Sequence, residues 1–261
     1  MKKFGLVLGS SGSRGSSYIG FIKALEEANL TPDYITGCSM GSIVGACYAY
    51  GMSSAQMEKE IYSLKFSQLV DLSVDPVKNA AFLRSNKLTK KIDCYFEGVR
   101  FCDLKIPFKA VATDIITGAV YTFEGEELLT EGIVASCTIP SIFKPIKKND
   151  MLLVDGGVKC RLPISQVRNM GAEVVVAVDA LGKLRRVDKA YNIATLMLRT
   201  FDVMDAEINK YRLKELKPDL VLEPDLGEMS QYKFKNFEQA IEAGYKIGKQ
   251  NINKILALLN E

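Results

Sequence analysis

Ser39 lies in the pentapeptide Gly37-Cys38-Ser39-Met40-Gly41, between a short apolar run (Tyr34-Ile35-Thr36) and a small-residue stretch of helical character ending at Tyr50. A G-x-S-x-G sequence at such a junction folds as strand, sharp turn and helix, and the turn lifts the middle side chain into a strained, exposed position. Gly37 and Gly41 lack the Cβ atoms that would collide where strand and helix cross. The helix that follows aims unpaired N–H groups and the positive end of its dipole at the same point. Negative charge formed near Ser39 Oγ is stabilised there. Ser39 is therefore a candidate nucleophile, although an ordinary Gly/Ser turn would match the same five residues.

The chain contains no histidine. A Ser-His-Asp triad, a Cys-His dyad and a His-ligated metal are all excluded, so a nucleophilic serine must take a carboxylate or a lysine as its base. Asp33, Asp114, Asp155 and Asp179 flank predicted strands, and in parallel sheets reactive groups gather at the strands' carboxyl ends. Asp33 precedes its strand, whereas Asp114 and Asp179 fit turn or helix-cap roles. Asp155 is followed by Gly156-Gly157, which permit a sharp turn and the close approach of another segment. By spacing alone, a structural turn accounts for it equally well.

Several elements must position these residues. Phe4, Leu6, Val7 and Leu8 predict a buried first strand leading into a loop with glycines at 9, 12 and 15. That spacing is neither a dinucleotide fingerprint nor a Walker A sequence. A small-residue loop entering a helix can still present N–H groups to an anion. Helices are predicted from Ile19 to Leu30, over 42–50, over 53–64 with a serine cap, over 132–137 and over 237–259. In the last of these, Gly244 and Gly248 suit close packing of a soluble helix. Strands are predicted at 33–36, 108–113 with a hairpin partner at 119–123, 151–154 and 174–178. The order predicts an α/β protein with a parallel sheet. Residues 66–104 are less regular, with a helix expected at 85–96; they read either as a lid or entrance segment or as ordinary surface helices.

The chain has 261 residues, 48% of them hydrophobic, and no linker-like stretch divides it. One domain over 1–261 is expected. A net charge of +3, with no Lys/Arg run longer than two, argues against a nucleic-acid partner and leaves room for transient attraction to an anionic membrane surface. The amino-terminal apolar stretch is too short to be an export signal, and no apolar run spans a bilayer. The six cysteines, at 38, 47, 94, 102, 137 and 160, show no C-x-x-C spacing and read as reduced thiols of a cytoplasmic protein.

Taken together, Gly12-x-Arg14-Gly15, the Ser39 pentapeptide, Ala112-Thr113-Asp114, Ala135-Ser136 through Phe143-x-Pro145 and Asp155-Gly156-Gly157 resemble the patatin-like phospholipase family. Pro224-Asp225-Leu226 and Glu242-Ala243-Gly244-Tyr245 extend the resemblance over nearly the whole chain. It implies a three-layer α/β sandwich with a mainly parallel central sheet flanked by helices. It also implies a lipid acyl hydrolase that needs neither metal nor cofactor, with a lipid or acyl ester as substrate. Ser39 would be the nucleophile and Asp155 its base, on turns shaped by Gly37, Gly41, Gly156 and Gly157. The N–H groups of Ser11, Gly12 and Met40 would form the oxyanion hole. Arg14 is a candidate for steering a lipid phosphate, against a solvated loop arginine as the alternative.

The chain departs from the family where consecutive glycines usually open the first loop, since Ser10 and Ser11 stand there. Serine keeps the N–H, but a positive φ at either position would cost about 1 kcal/mol. Cys160-Arg161 stand where the family often has asparagine. A catalytically silent lipid- or acyl-binding protein, or an acyltransferase or thioesterase on the same fold, are the alternatives.

Overall fold

The computed structural model describes residues 1–63, 71–72, 81–184 and 192–261. The first half contains β1 (Phe4–Leu8), α1 (Ser17–Glu27), β2 (Tyr34–Gly37), α2 (Met40–Tyr50), α3 (Ser54–Ser63), β3 (Asp71–Leu72), β4 (Ala81–Arg84), α4 (Asn86–Phe96) and β5 (Phe108–Asp114). Then follow β6 (Val120–Phe123), α5 (Leu129–Ser136), β7 (Ser141–Phe143), β8 (Ile146–Lys148) and β9 (Met151–Asp155). The chain closes with α6 (Ile164–Asn169), β10 (Val174–Val178), α7 (Ile193–Leu216), β11 (Leu220–Leu222) and α8 (Phe237–Asn260).

The central sheet runs β11-β10-β1-β2-β5-β9-β8, with β6 also paired to β5. From β11 to β5 every pairing is parallel; β6, β9 and β8 join antiparallel. Alternation along β1 sends Phe4, Leu6 and Leu8 into a large core with α1, α2, α5 and α8. Val7 points the other way, into a smaller core with Ile164 and Val167 of α6. Both faces of β1 are covered, so its residues form one continuous apolar run without alternation. This is the expected three-layer α/β arrangement.

The predicted elements all form, with ends shifted by a few residues. The serine cap of α3 is a reciprocal box: Ser53 N–H donates to Gln56 Oε1 (2.8 Å) and Gln56 N–H to Ser53 Oγ (3.3 Å). Part of the 66–104 stretch, at 66–70 and 73–80, lies outside the described residues. Its described part includes α4, whose buried Leu88, Ile92 and Phe96 join the main core. β4 belongs to a separate three-stranded sheet, β3-β4-β7. The helices α6 and α7, β11 and the short strands β3, β4, β7 and β8 were not anticipated from the sequence.

One expectation needs correcting. β9 runs antiparallel to β5, so Asp155 does not sit at the carboxyl end of a parallel strand. It arrives beside Ser39 through register instead. Asp155 pairs with Ala112, two residues beyond Ala110, which is level with Gly37 at the end of β2.

Helices α1 and α8 pack closely because they meet at glycines. A Cβ on Gly244 would stand 1.8 Å from Ser17 O, and one on Gly20 would stand 1.8 Å from Ile241 O. Gly244→Ala is expected to cost about 1–3 kcal/mol through overpacking. Urea unfolding monitored by circular dichroism measures this, and a midpoint unchanged from wild type would contradict the packing described.

Candidate active site

Strand β2 ends at Gly37 and α2 begins at Met40, leaving Cys38 and Ser39 to turn the chain. Ser39 takes φ 53° and ψ −124°. For a residue with a Cβ such a conformation costs on the order of 1–3 kcal/mol, so the surroundings must impose it. Three contacts do so. Ser39 N–H donates to Ser136 Oγ of α5 (2.9 Å), Ser42 Oγ donates to Ser39 O (2.7 Å), and Gly41 N–H donates to Cys38 O (2.8 Å). The flanking glycines are required by proximity: a Cβ on Gly41 would stand 2.1 Å from Leu8 O, and one on Gly37 2.4 Å from Gly41 O.

Asp155 is buried beside this turn. Its Oδ1 accepts from Gly157 N–H (2.7 Å) and from Ser10 Oγ (3.5 Å), and the Cys38 thiol approaches to 3.7 Å. Gly156 packs against Val111 O and the Cys38 thiol, so the turn after β9 lies directly under the serine turn. Burial pushes the Asp155 carboxyl up to about 6. Hydrogen bonding from the Ser39 hydroxyl, Gly157 N–H, Cys38 and Ser10 holds back part of that rise. The fold thus brings together the two residues selected from the sequence. It leaves the other aspartates elsewhere: Asp33 accepts from Phe4 N–H and the Lys3 ammonium at the opposite end of the sheet, and Asp114 accepts from Ile116, Thr117 and Leu152 in a turn.

Facing Ser39 is the loop after β1. Ser11 has φ −161° and ψ −3°, and neither it nor Ser10 is among the residues with positive φ. The left-handed position is Gly12, at φ 53°, where a Cβ would also stand 2.3 Å from Gln231 O. The glycine-to-serine departures therefore fall outside the left-handed region, and glycine is retained at the position that lies in it. The N–H groups of Ser11, Gly12 and Met40 have no acceptor among the described residues, in contrast to those of Ser10, Ser13 and Arg14, which are all bonded. Gly12, Ser39 and Met40 line a cavity of about 190 Å³. Its other walls are mostly apolar and come from α2, α3, α4 and the chain after α5, with Ile43, Ile61, Leu88, Ile92 and Phe143 among them, joined by Glu60, Lys91, Gln231 and Tyr232.

Arg14 does not line this cavity. It is buried, and its guanidinium donates to Leu181 O (3.1 Å) and Gly227 O (3.5 Å), tying two loops together. Neither the phosphate-steering role nor the solvated-loop alternative matches that position.

A charged cluster near the Asp155 turn could not be read from the sequence. Arg161, six residues past Asp155, is buried and donates to Asp179 Oδ1 (3.0 Å from Nε), Asp205 Oδ2 (3.1 Å) and Gly182 O (2.8 Å). Asn209 donates to the other Asp179 oxygen (3.2 Å). Burial pushes Asp205 up to about 7, opposed by the Arg161 charge and reinforced by Asp179. On the same helix, Asp202 accepts from Gln231 Nε2 (2.7 Å) and from the Tyr232 hydroxyl (2.6 Å), two residues that line the cavity. The partners lie 18 to 44 positions from Arg161, on elements that only the fold assembles.

The α/β sheet presents a serine on a strand–helix turn, beside a buried aspartate and unpaired N–H groups, in a chain that has no histidine. The family model for patatin-like phospholipase matches residues 6–168, and the chain belongs to that family. It is 33% identical over 181 residues to patatin-like phospholipase domain-containing protein 6 of Mus musculus, covering 67% of this chain and 13% of that protein. It is 25% identical over 279 residues to Lysophospholipase NTE1 of Phaeosphaeria nodorum, covering 95% of this chain and 18% of that protein. The chain thus spans a small part of the length of these relatives. Among solved structures it is similar in fold to VipD from Legionella pneumophila, with a TM-score of 0.53 and 14% identity, covering 100% of this chain and 67% of that one.

Removing Arg161 would leave Asp179 and Asp205 buried without their cation. Arg161→Met is expected to destabilise the protein by about 3–5 kcal/mol, read from the urea midpoint. A variant that melts with wild type would show that the cluster carries no such interdependence.

Proposed function

We propose that the protein is a serine acyl hydrolase that cleaves carboxylic esters of lipids, phospholipids or lysophospholipids, through Ser39 and Asp155. The observation that carries this is the position of Ser39: a strained serine in the wall of a mostly apolar cavity, beside a desolvated carboxylate, with N–H groups left unpaired around it. Membership of a phospholipase family and the name of the fungal relative support the same substrate class.

In this mechanism Asp155 takes the proton of Ser39 Oγ as the oxygen attacks the acyl carbon. The carbonyl oxygen becomes an oxyanion held by the N–H groups of Met40, Gly12 and Ser11, with the α2 dipole behind them. Collapse of the intermediate breaks the ester C–O bond, and the proton on Asp155 passes to the leaving alcohol. Water, deprotonated by the same carboxylate, then attacks the acyl-serine, and the proton returns to Ser39 as the acid leaves. A carboxylate near 4 would be a weak base for a serine hydroxyl; burial brings Asp155 closer to the pH of its work. The acyl chain would occupy the apolar cavity.

A fluorophosphonate probe should label wild type at Ser39, and both labelling and short-ester hydrolysis should fall about a thousandfold or more in Ser39→Ala and Asp155→Asn. Wild type that neither labels nor turns over any ester or thioester would leave a binding protein as the better account. Turnover of thioesters alone, or faster transfer to added alcohols than to water, would mark a thioesterase or a transferase.

The pH dependence has a definite sign. Asp155 acts only when ionised, so kcat/KM should fall about tenfold per pH unit below about 6. Ser10→Ala removes a donor to that carboxylate, which raises its pKa and moves the acidic limb to higher pH. A limb that stays in place, or moves down, would separate Ser10 from the base.

A further inference from the structure

The cavity beside Ser39 has a direction. It follows one face of α2, whose Met40, Ile43, Val44 and Cys47 recur at helical spacing along its wall. Between Met40 and Cys47 that helix rises by about 10 Å. Polar side chains of the lining fall into two groups. Gln231 and Tyr232 belong to the Ser39 end, where Gln231 O accepts from Ser13 N–H and packs on Gly12. Glu60 of α3 and Lys91 and Tyr95 of α4 form the second group, and two contacts place it at the other end of α2. Tyr95 stacks obliquely on Phe96, whose ring meets Tyr50, the last residue of α2, edge-on at 5.3 Å. Glu60 lies near Cys47, where burial pushes the thiol up to about 12 and the Glu60 charge adds to the rise. The three side chains are joined to one another: Lys91 Nζ donates to the Tyr95 hydroxyl (2.9 Å) and lies 3.6 Å from Glu60 Oε2, and the hydroxyl donates in turn to that carboxylate.

We propose that Glu60, Lys91 and Tyr95 end the acyl site and restrict the substrate to esters of medium-length acyl chains, about eight carbons long. An extended chain advances about 1.2 Å per bond, so about eight carbons reach from Ser39 to the level of Cys47. Each carbon laid along α2 leaves water for apolar walls and improves binding. A methyl group pressed further would strip water from the Glu60 and Lys91 charges, which are half-buried already, and return no hydrogen bond to them. The arm fits the acyl side of the ester rather than its headgroup side, because Ile43, Val44, Ile61 and Ile92, which line the way to Lys91, have nothing to donate to a phosphate. This inference rests on the lipid acyl-hydrolase function proposed above.

Para-nitrophenyl esters graded from acetate to palmitate, kept below their micellar concentrations, test it. For wild type kcat/KM should rise by up to about fourfold per methylene as far as octanoate and fall for laurate and palmitate. The variant Glu60→Leu/Lys91→Met/Tyr95→Phe replaces the polar group with apolar side chains, and its ratio of laurate to octanoate turnover should rise about tenfold. Cys47→Leu fills the arm short of the polar group and should move the optimum to shorter chains, which keeps the test decisive if the triple variant fails to fold. Calorimetric binding of the free fatty acids to Ser39→Ala should follow the same order of lengths. That order without hydrolysis of any ester would sink the proposed function and leave the length limit standing. Palmitate turned over or bound as well as octanoate by the unaltered cavity, a folded triple variant with the wild-type length profile, or a folded Cys47→Leu with an unmoved optimum would each overturn the length limit.

Discussion

The site depends on one strained peptide unit. Ser39 is held at positive φ because β2 and α2 are joined by too few residues for a relaxed turn, and because Ser136 and Ser42 bind its backbone on either side. The conformation puts the hydroxyl on the cavity side and leaves the Met40 N–H unpaired. Strain at Ser39 and readiness of the N–H donors are two results of the same turn. Gly41 completes it by allowing α2 to lie almost against the end of β1.

In the proposed mechanism, without histidine, the base must be made from a residue that is ordinarily too weak. Burial does this for Asp155, and the hydrogen bonds that keep the buried carboxylate in place limit how far its affinity for protons rises. Ser10 contributes to that balance. Where the family resemblance implies glycine, this chain places the Ser10 hydroxyl within reach of Asp155, on backbone outside the left-handed region.

The second buried polar group, around Arg161, binds the turn after β9 to α7. It explains how a helix can turn its charges inward: each finds a partner of opposite sign or a hydrogen-bonding group. Several of its apolar side chains are left outside as a consequence, while Leu213 and Leu216 pack against the smaller core. The same helix therefore supports the cavity wall through Asp202 and offers an apolar face to the surroundings.

The candidate site was legible in the sequence because it is local. Five residues define the serine turn, three define the aspartate turn, and the lack of histidine removes the commoner bases; likewise the apolar runs of β1, β5 and β10 identify strands covered on both faces. The tertiary structure decided what depends on distant pairing. It showed that Asp155 reaches Ser39 from an antiparallel strand, by register. It assigned the positive φ to Gly12 and not to Ser10 or Ser11, and it buried Arg14 away from the cavity. The group around Arg161 was unreadable because its members are separated along the chain and share no pattern. Helix α7 escaped the sequence-based prediction for a related reason: a period of apolar residues says that a helix has a face, and only the packing of its neighbours says whether that face turns inward or out.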